Sequence, residues 1–410
     1  MISKAVTVGR GNVGSAIGTL FPQKPMHKIT LGTVIVCLVS LVICITLITH
    51  AQSNQVLLLA NALAAAPVQA VPVAQMTPGV SSGANASRAL VRINQAAVNQ
   101  YASQAEHDTW WPSTCSTASM TEVMNSYGHH FKITNVLQVE SRIGAIAADS
   151  GLLDPSGIDL TAGRLGFETH TLNSPSLDQV IDIANAGEPV IVNFPPATWS
   201  GGHLLVVRGG TDTTVDLADS STLNHGAGLQ EVSRAYFLTY WRGFAKVLTP
   251  SRYVMASKPT VSADQINGVL AHHNSTAAGL GQTVYDLAVK YGIDDAYVLV
   301  TFGHESSFGT AGEARSSLSP GNLRCVGQGF EDLRPTCRDD YAWFPTWKEG
   351  FEALYRLLAG SLYAGDGRII PELIIPRFAP QADNNDEAGY IAALKGGIDA
   401  MRAGKLDLPK

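Results

Sequence analysis

Trp110–Gly128, WWPSTCSTASMTEVMNSYG, is the stretch on which the reading of this 410-residue chain turns. Cys115 follows a Pro-Ser-Thr break and opens an apolar-periodic run through Ala118, Val123, Met124 and Tyr127. Gly128 then supplies the left-handed stop that commonly ends a helix. The pattern predicts a helix carrying one thiol in its first turn. At that end, unpaired N–H groups and the helix dipole stabilise negative charge on sulfur, the form in which cysteine is a nucleophile. A lone cysteine is more often a small buried hydrophobe, so the assignment depends on partners elsewhere in the chain.

Those partners lie downstream. Further helices are expected near Val136–Ala148, before Gly166, and from Ser176 to Ala186 with Gly187 as a stop. The period then changes. Residues 189–194 (PVIVNF), 202–209 (GHLLVVRG) and 214–219 (TVDLAD) read as short apolar runs of buried-strand type. Helices followed by a sheet make this an α+β domain. His203 begins one strand and Asp219 ends the next, after a Gly-Gly-Thr-Asp turn, so antiparallel pairing sets imidazole and carboxylate side by side. Cys115, His203 and Asp219 are then the parts a thiol nucleophile requires: nucleophile, base, and an acid that fixes the imidazole tautomer. Asp216 and His225 compete for these roles less well; Asp216 shares its strand face with Ala218, not with Asp219.

The helix-borne Cys, the Pro-Val-Ile-Val strand, Gly-Gly-His before an apolar strand, and a strand ending in Asp together resemble the papain-like bacteriocin-processing peptidase family. That family cleaves after double-glycine leaders in transporters and has secreted stand-alone relatives. The resemblance covers roughly 100–250 and implies Cys115 as nucleophile, His203 as base and Asp219 as orienting acid. The chain departs from the family at three points. Cys115-Ser116-Thr117 stands where Cys-Gly-Pro is usual, and Asp219-Ser220 where Asp-Pro is usual. The glutamine that precedes the Cys and supports the oxyanion has no clear counterpart: Thr109 or Asp108 falls near its position, and Gln104 lies too far upstream.

After Lys258–Ala263 the pattern is helical. Ser262 caps Ala263–Ala271, Gly292 stops Ala277–Tyr291, and Asp294 or Asp295 starts a helix that runs into His304-Glu305-Ser306-Ser307-Phe308-Gly309. A carboxylate at the end of an apolar helix, beside aromatic and glycine residues, suits a general acid. His304-Glu305 is not a zinc motif, because the second His of HExxH is missing. Glu-Ser-Ser-Phe-Gly (305–309), Gly321-Asn322-Leu323-Arg324, the Tyr341–Trp347 stretch, and Pro376–Pro380 with Asp383-Asn384-Asn385 and Tyr390 resemble the bacterial endo-β-N-acetylglucosaminidase family of lysozyme-like wall hydrolases. Coverage is about 262–405. The resemblance implies Glu305 as the catalytic acid and Tyr341, Phe344 and Trp347 as glycan contacts, with core packing as the rival account of these aromatics. For a second carboxylate it leaves open Glu313 and the Asp332–Asp340 region. Cys325 and Cys337 close a short loop, which in an exported domain is expected to be a disulfide.

The N-terminal part has a different character. Gly9–Gly14 matches GxGxxG but lacks the helix, second strand and acidic residue of a dinucleotide site. Ile29–Thr49 is uncharged and long enough to cross a bilayer. The basic residues before it place 1–28 in the cytoplasm; a signal peptide cleaved near Ala51 is the rival reading. Residues 1–87 hold Lys4, Arg10, Lys24 and Lys28 and no acid, so the remainder carries 24 basic against 34 acidic side chains. Such an acidic body is a poor fit to nucleic acid.

The expected organisation is a cytoplasmic segment (1–28), a transmembrane helix (29–49), an Ala/Pro-rich linker (50–95), a papain-like cysteine peptidase domain (96–257) and a mainly α, lysozyme-like domain (258–410). The expected catalytic residues are Cys115, His203, Asp219 and Glu305, with no metal and no cofactor. The expected partners are peptidoglycan, through its glycan and its peptides, and the membrane through one N-terminal helix, with the bulk of the chain on the cell-wall side. Two alternatives stay open: a peptidase for secreted peptides or proteins with a glycan-binding C-terminal domain, and a wall-binding scaffold with inactive sites.

Overall fold

The computed structural model describes residues 85–221, 230–325 and 329–408. The membrane helix expected over 29–49, the glycine pattern at 9–14 and His225 lie outside the described residues. Among the described residues no helix is long and apolar enough to cross a membrane.

The apolar runs downstream of Cys115 pair into one six-stranded sheet. Its strands are β1 (Phe167–Thr171), β2 (Val190–Phe194), β3 (His203–Gly210), β4 (Thr214–Ala218), β5 (Gln230–Ser233) and β6 (Ala245–Pro250). Their order is β1-β6-β2-β3-β4-β5, with each neighbouring pair antiparallel. The central strands are apolar on both sides because both faces are covered. Ile191, Leu204, Val206 and Ala218 lie under α1 (Cys115–Ser126) and α3 (Ser156–Arg164). Val190, Val192, Leu205, Val207 and Leu217 lie under α4 (Leu177–Ala186) and α5 (Arg234–Tyr240).

Caps set the helix ends. Ser176 and Gln179 form a reciprocal capping box on α4, and Gly187 ends it with φ 115°. The helix expected over Val136–Ala148 is α2 (Ile133–Arg142), which starts and stops earlier. Gly144 takes φ 68°, and Ile146 leaves to pair with Leu152. The linker expected to run to residue 95 also ends earlier. Asn85 caps a short helix over Ala86–Ala89, Ser87 N–H donates to Gly187 O at 3.1 Å, and Leu90 and Ile93 are buried. Two apolar side chains three residues apart in an Ala/Ser-rich stretch are enough to dock it.

Residues 258–408 are mainly helical: α6 (Ala263–His272), α7 (Gly281–Tyr291), α8 (Asp295–Ser306), α9 (Trp347–Ala359), α10 (Pro371–Phe378) and α11 (Glu387–Arg402), with a small ribbon of β7 (Thr336–Arg338) and β8 (Tyr341–Trp343). α8 is wrapped on all sides. Tyr297, Val298 and Phe302 are buried in a core with Phe351, Leu354, Leu394 and Ile398. Cys325 and Cys337 form a disulfide with their Cα atoms 5.7 Å apart.

The sheet-bearing part and the helical part pack against each other. Val254 and Ala256 bury against Ile369, Ile370 and Leu373. Arg164 donates to Asp366, and Lys395 bridges Glu168 of β1 (2.8 Å) and Glu372 of α10 (2.5 Å).

Candidate active sites

β3 and β4 pair with Val206 opposite Ala218, so continuing the ladder sets Asp219 opposite Leu205. His203 and Asp219 therefore share a sheet face on the diagonal, within reach of a direct bond. His203 Nε2 and Asp219 Oδ1 are 2.7 Å apart. Cys115, the first residue of α1, lies close enough to the imidazole to raise its pKa. The structure thus brings Cys115, His203 and Asp219 together at one rim of the sheet. Asp216 stays mid-strand, paired with Gly209 and Glu231.

Burial pulls the His203 imidazolium down, but the hydrogen bond to Asp219 and the neighbouring Cys115 outweigh it and lift the group to about 10. Burial acts the other way on Asp219; its hydrogen bond with His203, the imidazolium charge and the Ser221 N–H together hold the carboxyl below its usual range. Trp199 lies over the imidazole at 6.0 Å and 26°, backed by Phe194 and Tyr240. This aromatic cover keeps bulk water off the His–Asp bond. Cys115 is partly exposed and is the one free cysteine among the described residues.

The Ser116-Thr117 departure from Gly-Pro has a structural counterpart. Both hydroxyls donate to the buried Glu140 of α2, Ser116 at 2.9 Å and Thr117 at 2.5 Å, and so tie down the turn that carries the thiol. Burial pushes the Glu140 carboxyl up to about 7, against these two hydrogen bonds. A second buried acid, Glu122, lies two turns along α1 and accepts from Ile93 N–H at 2.7 Å. Burial pushes it up to about 8, with Asp219 close enough to add to the shift. No glutamine from the expected position supports the thiol. The Thr109 hydroxyl bonds Ala105 O within its own helix, and Gln104 bonds Asp108 on the surface. The glutamine that reaches this neighbourhood is Gln95, which donates to Trp111 O at 2.9 Å and accepts from Ser220 at 2.8 Å.

Glu305 lies in the helical part, near the end of α8, on a cleft of about 620 Å³. Tyr390 O–H donates to its Oε1 at 2.8 Å and Asn322 Nδ2 to its Oε2 at 2.9 Å, which fixes the carboxylate in the cleft. His304 stacks on Tyr390 at 3.8 Å. Ser307 and Phe308, just past α8, both take positive φ, as does Asn322. For non-glycine residues this is unfavourable, and such positions cluster at functional sites.

Of the three aromatics, one faces the cleft and two take the core alternative. Tyr341 lines the cleft, with the Arg324 guanidinium 4.2 Å over its ring. Phe344 and Trp347 are core residues; Trp347 packs on Phe302 and Phe351 and donates to Thr276. Glu313 and Asp332 are exposed, and Asp332 pairs with Arg356; the other carboxylate on the cleft wall is Asp383.

Residues 96–249 match the Peptidase_C39 like family, so this part of the chain is a Peptidase C39-like domain. Among solved structures it is similar to the peptidase domain of Streptococcus ComA, a bi-functional ABC transporter involved in a quorum sensing pathway. There the identity is 22%, the match spans 34% of this chain and 93% of that one, and the TM-score is 0.29. The peptidase domain of Streptococcus mutans ComA matches at 20% identity over 33% of this chain and 92% of that one, with a TM-score of 0.25. A double glycine motif protease from an AMS/PCAT transporter, solved with its leader peptide, matches at 15% identity over 33% and 84%, also at 0.25. No curated protein sequence matches.

Proposed function

We propose that this chain is a membrane-anchored peptidoglycan hydrolase held on the outer side by 29–49. In this reading 96–257 is a cysteine peptidase and 258–410 a lysozyme-like domain that cuts glycan. The observation that carries the reading is the buried His203–Asp219 hydrogen bond with the Cys115 thiol beside the same imidazole. His203 takes the thiol proton, and the thiolate attacks a peptide carbonyl carbon to form a C–S bond. The oxyanion that develops faces the open N–H groups at the start of α1, whose first return bond is Ala118 N–H to Thr114 O. As the C–N bond breaks, the imidazolium gives its proton to the leaving amine. A water, deprotonated by the same imidazole, then hydrolyses the thioester and restores the thiol.

At the second site Glu305, held by Tyr390 and Asn322, gives its proton to the glycosidic oxygen as the C–O bond breaks; a water then bonds to the anomeric carbon and its released proton restores the Glu305 acid. Arg324 and Arg377 on the cleft wall suit the carboxylates that peptidoglycan carries. Sugars and peptides are joined in that one polymer, so a single substrate supplies both sites.

The test is to incubate the full chain with purified peptidoglycan and follow new amino groups and soluble glycan fragments separately. Both are expected, and prior treatment with iodoacetamide should remove the amino groups while sparing the glycan fragments. Amino groups without glycan fragments would restrict the activity to a peptidase. Neither product, under conditions where a lysozyme solubilises the same wall, would sink the reading.

A further inference from the structure

We propose that residues 92–95, which precede the stretch matching the peptidase family, are a working part of the thiol site, with Arg92 as a positioning residue that holds Asp219 against His203. The inference rests on the reading of Cys115 as a nucleophile. Arg92 donates through Nε to the carbonyl of Asp219 and through its terminal nitrogen to the carbonyl of Ser221, the latter at 2.8 Å. Gln95 N–H donates to Ser220 O at 3.0 Å, and Ser220 Oγ donates back to Gln95 Oε1. All three residues of the 219–221 turn are therefore held by this one segment.

The shape of that turn sets the acid. Ser221 N–H donates at 2.8 Å to Asp219 Oδ1, the same oxygen that binds His203 Nε2. Arg92 grips the backbone and leaves the carboxylate alone, so it fixes the acid without competing with the imidazolium for its charge. The segment's other contacts reach the thiol's own helix and the approach to it. Ile93 N–H donates to Glu122 of α1, and Gln95 Nε2 donates to Trp111 O, shortly before Cys115. It is a clasp between the element bearing the nucleophile and the turn bearing the acid. A planar fork spanning two carbonyls is a task for arginine, which a lysine's point charge does only in part.

The titratable and charged groups facing the His203–Asp219 pair are Cys115 and Glu122 from α1, Arg92 from the clasp and Tyr236 from α5. The experiment follows alkylation of Cys115 by iodoacetamide against pH in the full chain, read by mass spectrometry of the Cys115 peptide. Wild type, Arg92→Ala, Arg92→Lys and Asp219→Asn are compared, each checked for folding by circular dichroism. Wild type should react faster than Asp219→Asn across the profile, as a thiol with an oriented base does. Arg92→Ala should displace the profile upward by about one pH unit or more, towards that of Asp219→Asn. Arg92→Lys should fall between, and guanidinium ion at tens of millimolar should draw the Arg92→Ala profile back, which a loss of fold would not allow. If Arg92→Ala does not fold, Arg92→Lys decides. Folded Arg92 variants with the wild-type profile, alongside a displaced Asp219→Asn profile, would overturn the inference alone. A wild-type profile that coincides with that of Asp219→Asn would overturn the thiol-site reading and this inference with it.

Discussion

His203 is asked to keep a proton in a buried place, and it does so because a carboxylate and a thiol both border its ring. A histidine raised from 6.5 to about 10 on folding stabilises the fold fully below about pH 6.5. That contribution is lost as pH rises through about 10. Urea unfolding at pH 6 and pH 9 should therefore show a larger loss for wild type than for His203→Asn. Equal losses would mean that the imidazole is not held as an imidazolium. Asp219→Asn should keep the fold but lower peptide cleavage by at least about a hundredfold, because the amide cannot support the charged ring. The placement of Cys115 at a helix start and of His203 beside Asp219 was legible in the sequence for physical reasons: a helix start, a strand start and a strand end are local signals, and antiparallel pairing joins the last two. Arg92, Gln95, Glu122 and Glu140 were not legible. Each is defined by a partner far along the chain, and a lone Glu in a helix reads as an ordinary surface acid until its burial is known.

At the scale of the element, α1 places the thiol only as well as its first turn is fixed, and Thr114 gives that turn no side-chain cap. The Ser116 and Thr117 hydroxyls on Glu140 replace it. Because burial raises Glu140 from 4.5 to about 7, the folded state binds more protons than the unfolded one across that window, and stability falls as pH rises through it. Glu140→Gln should flatten that slope and cost no more than about 1 kcal/mol, since an acceptor remains. Glu140→Ala should cost about 2–3 kcal/mol by stranding two buried hydroxyls and opening a cavity. Urea titrations at pH 5 and pH 8 measure both effects; a Glu140→Gln protein with the wild-type slope would contradict the assignment. Capping and glycine stops made α4, α6 and α8 readable from sequence. The ends of α2 were misread because Gly144 acts through a turn whose pairing, Ile146 with Leu152, has no local signature. For Phe344 and Trp347 the sequence leaves core and cleft open, because aromatic residues in a run do not declare which of them faces inward; burial decides for the core.

Taken as a whole molecule, residues 85–408 join a thiol site and a carboxylate cleft through a packed seam. Leu373 is buried there against Val254, Ala256 and Gly163 of α3. Leu373→Asp places an unpaired charge in that seam, which costs about 3 kcal/mol or more. Heating should then show two unfolding steps where wild type shows one; a single step in both would mean that the parts do not depend on the seam. The sheet-bearing part was readable as a family resemblance because its motifs lie on successive strands. The seam was not, since Arg164 and Asp366, or Glu168 and Lys395, meet only in three dimensions. The central claim, two cutting sites for one polymer, is tested most directly by mass spectrometry of a peptidoglycan digest made with wild type, Cys115→Ala and Glu305→Gln. New peptide ends should vanish only in Cys115→Ala, and glycan fragments only in Glu305→Gln. Persistence of peptide ends in Cys115→Ala, or of glycan fragments in Glu305→Gln, would contradict the account at that site.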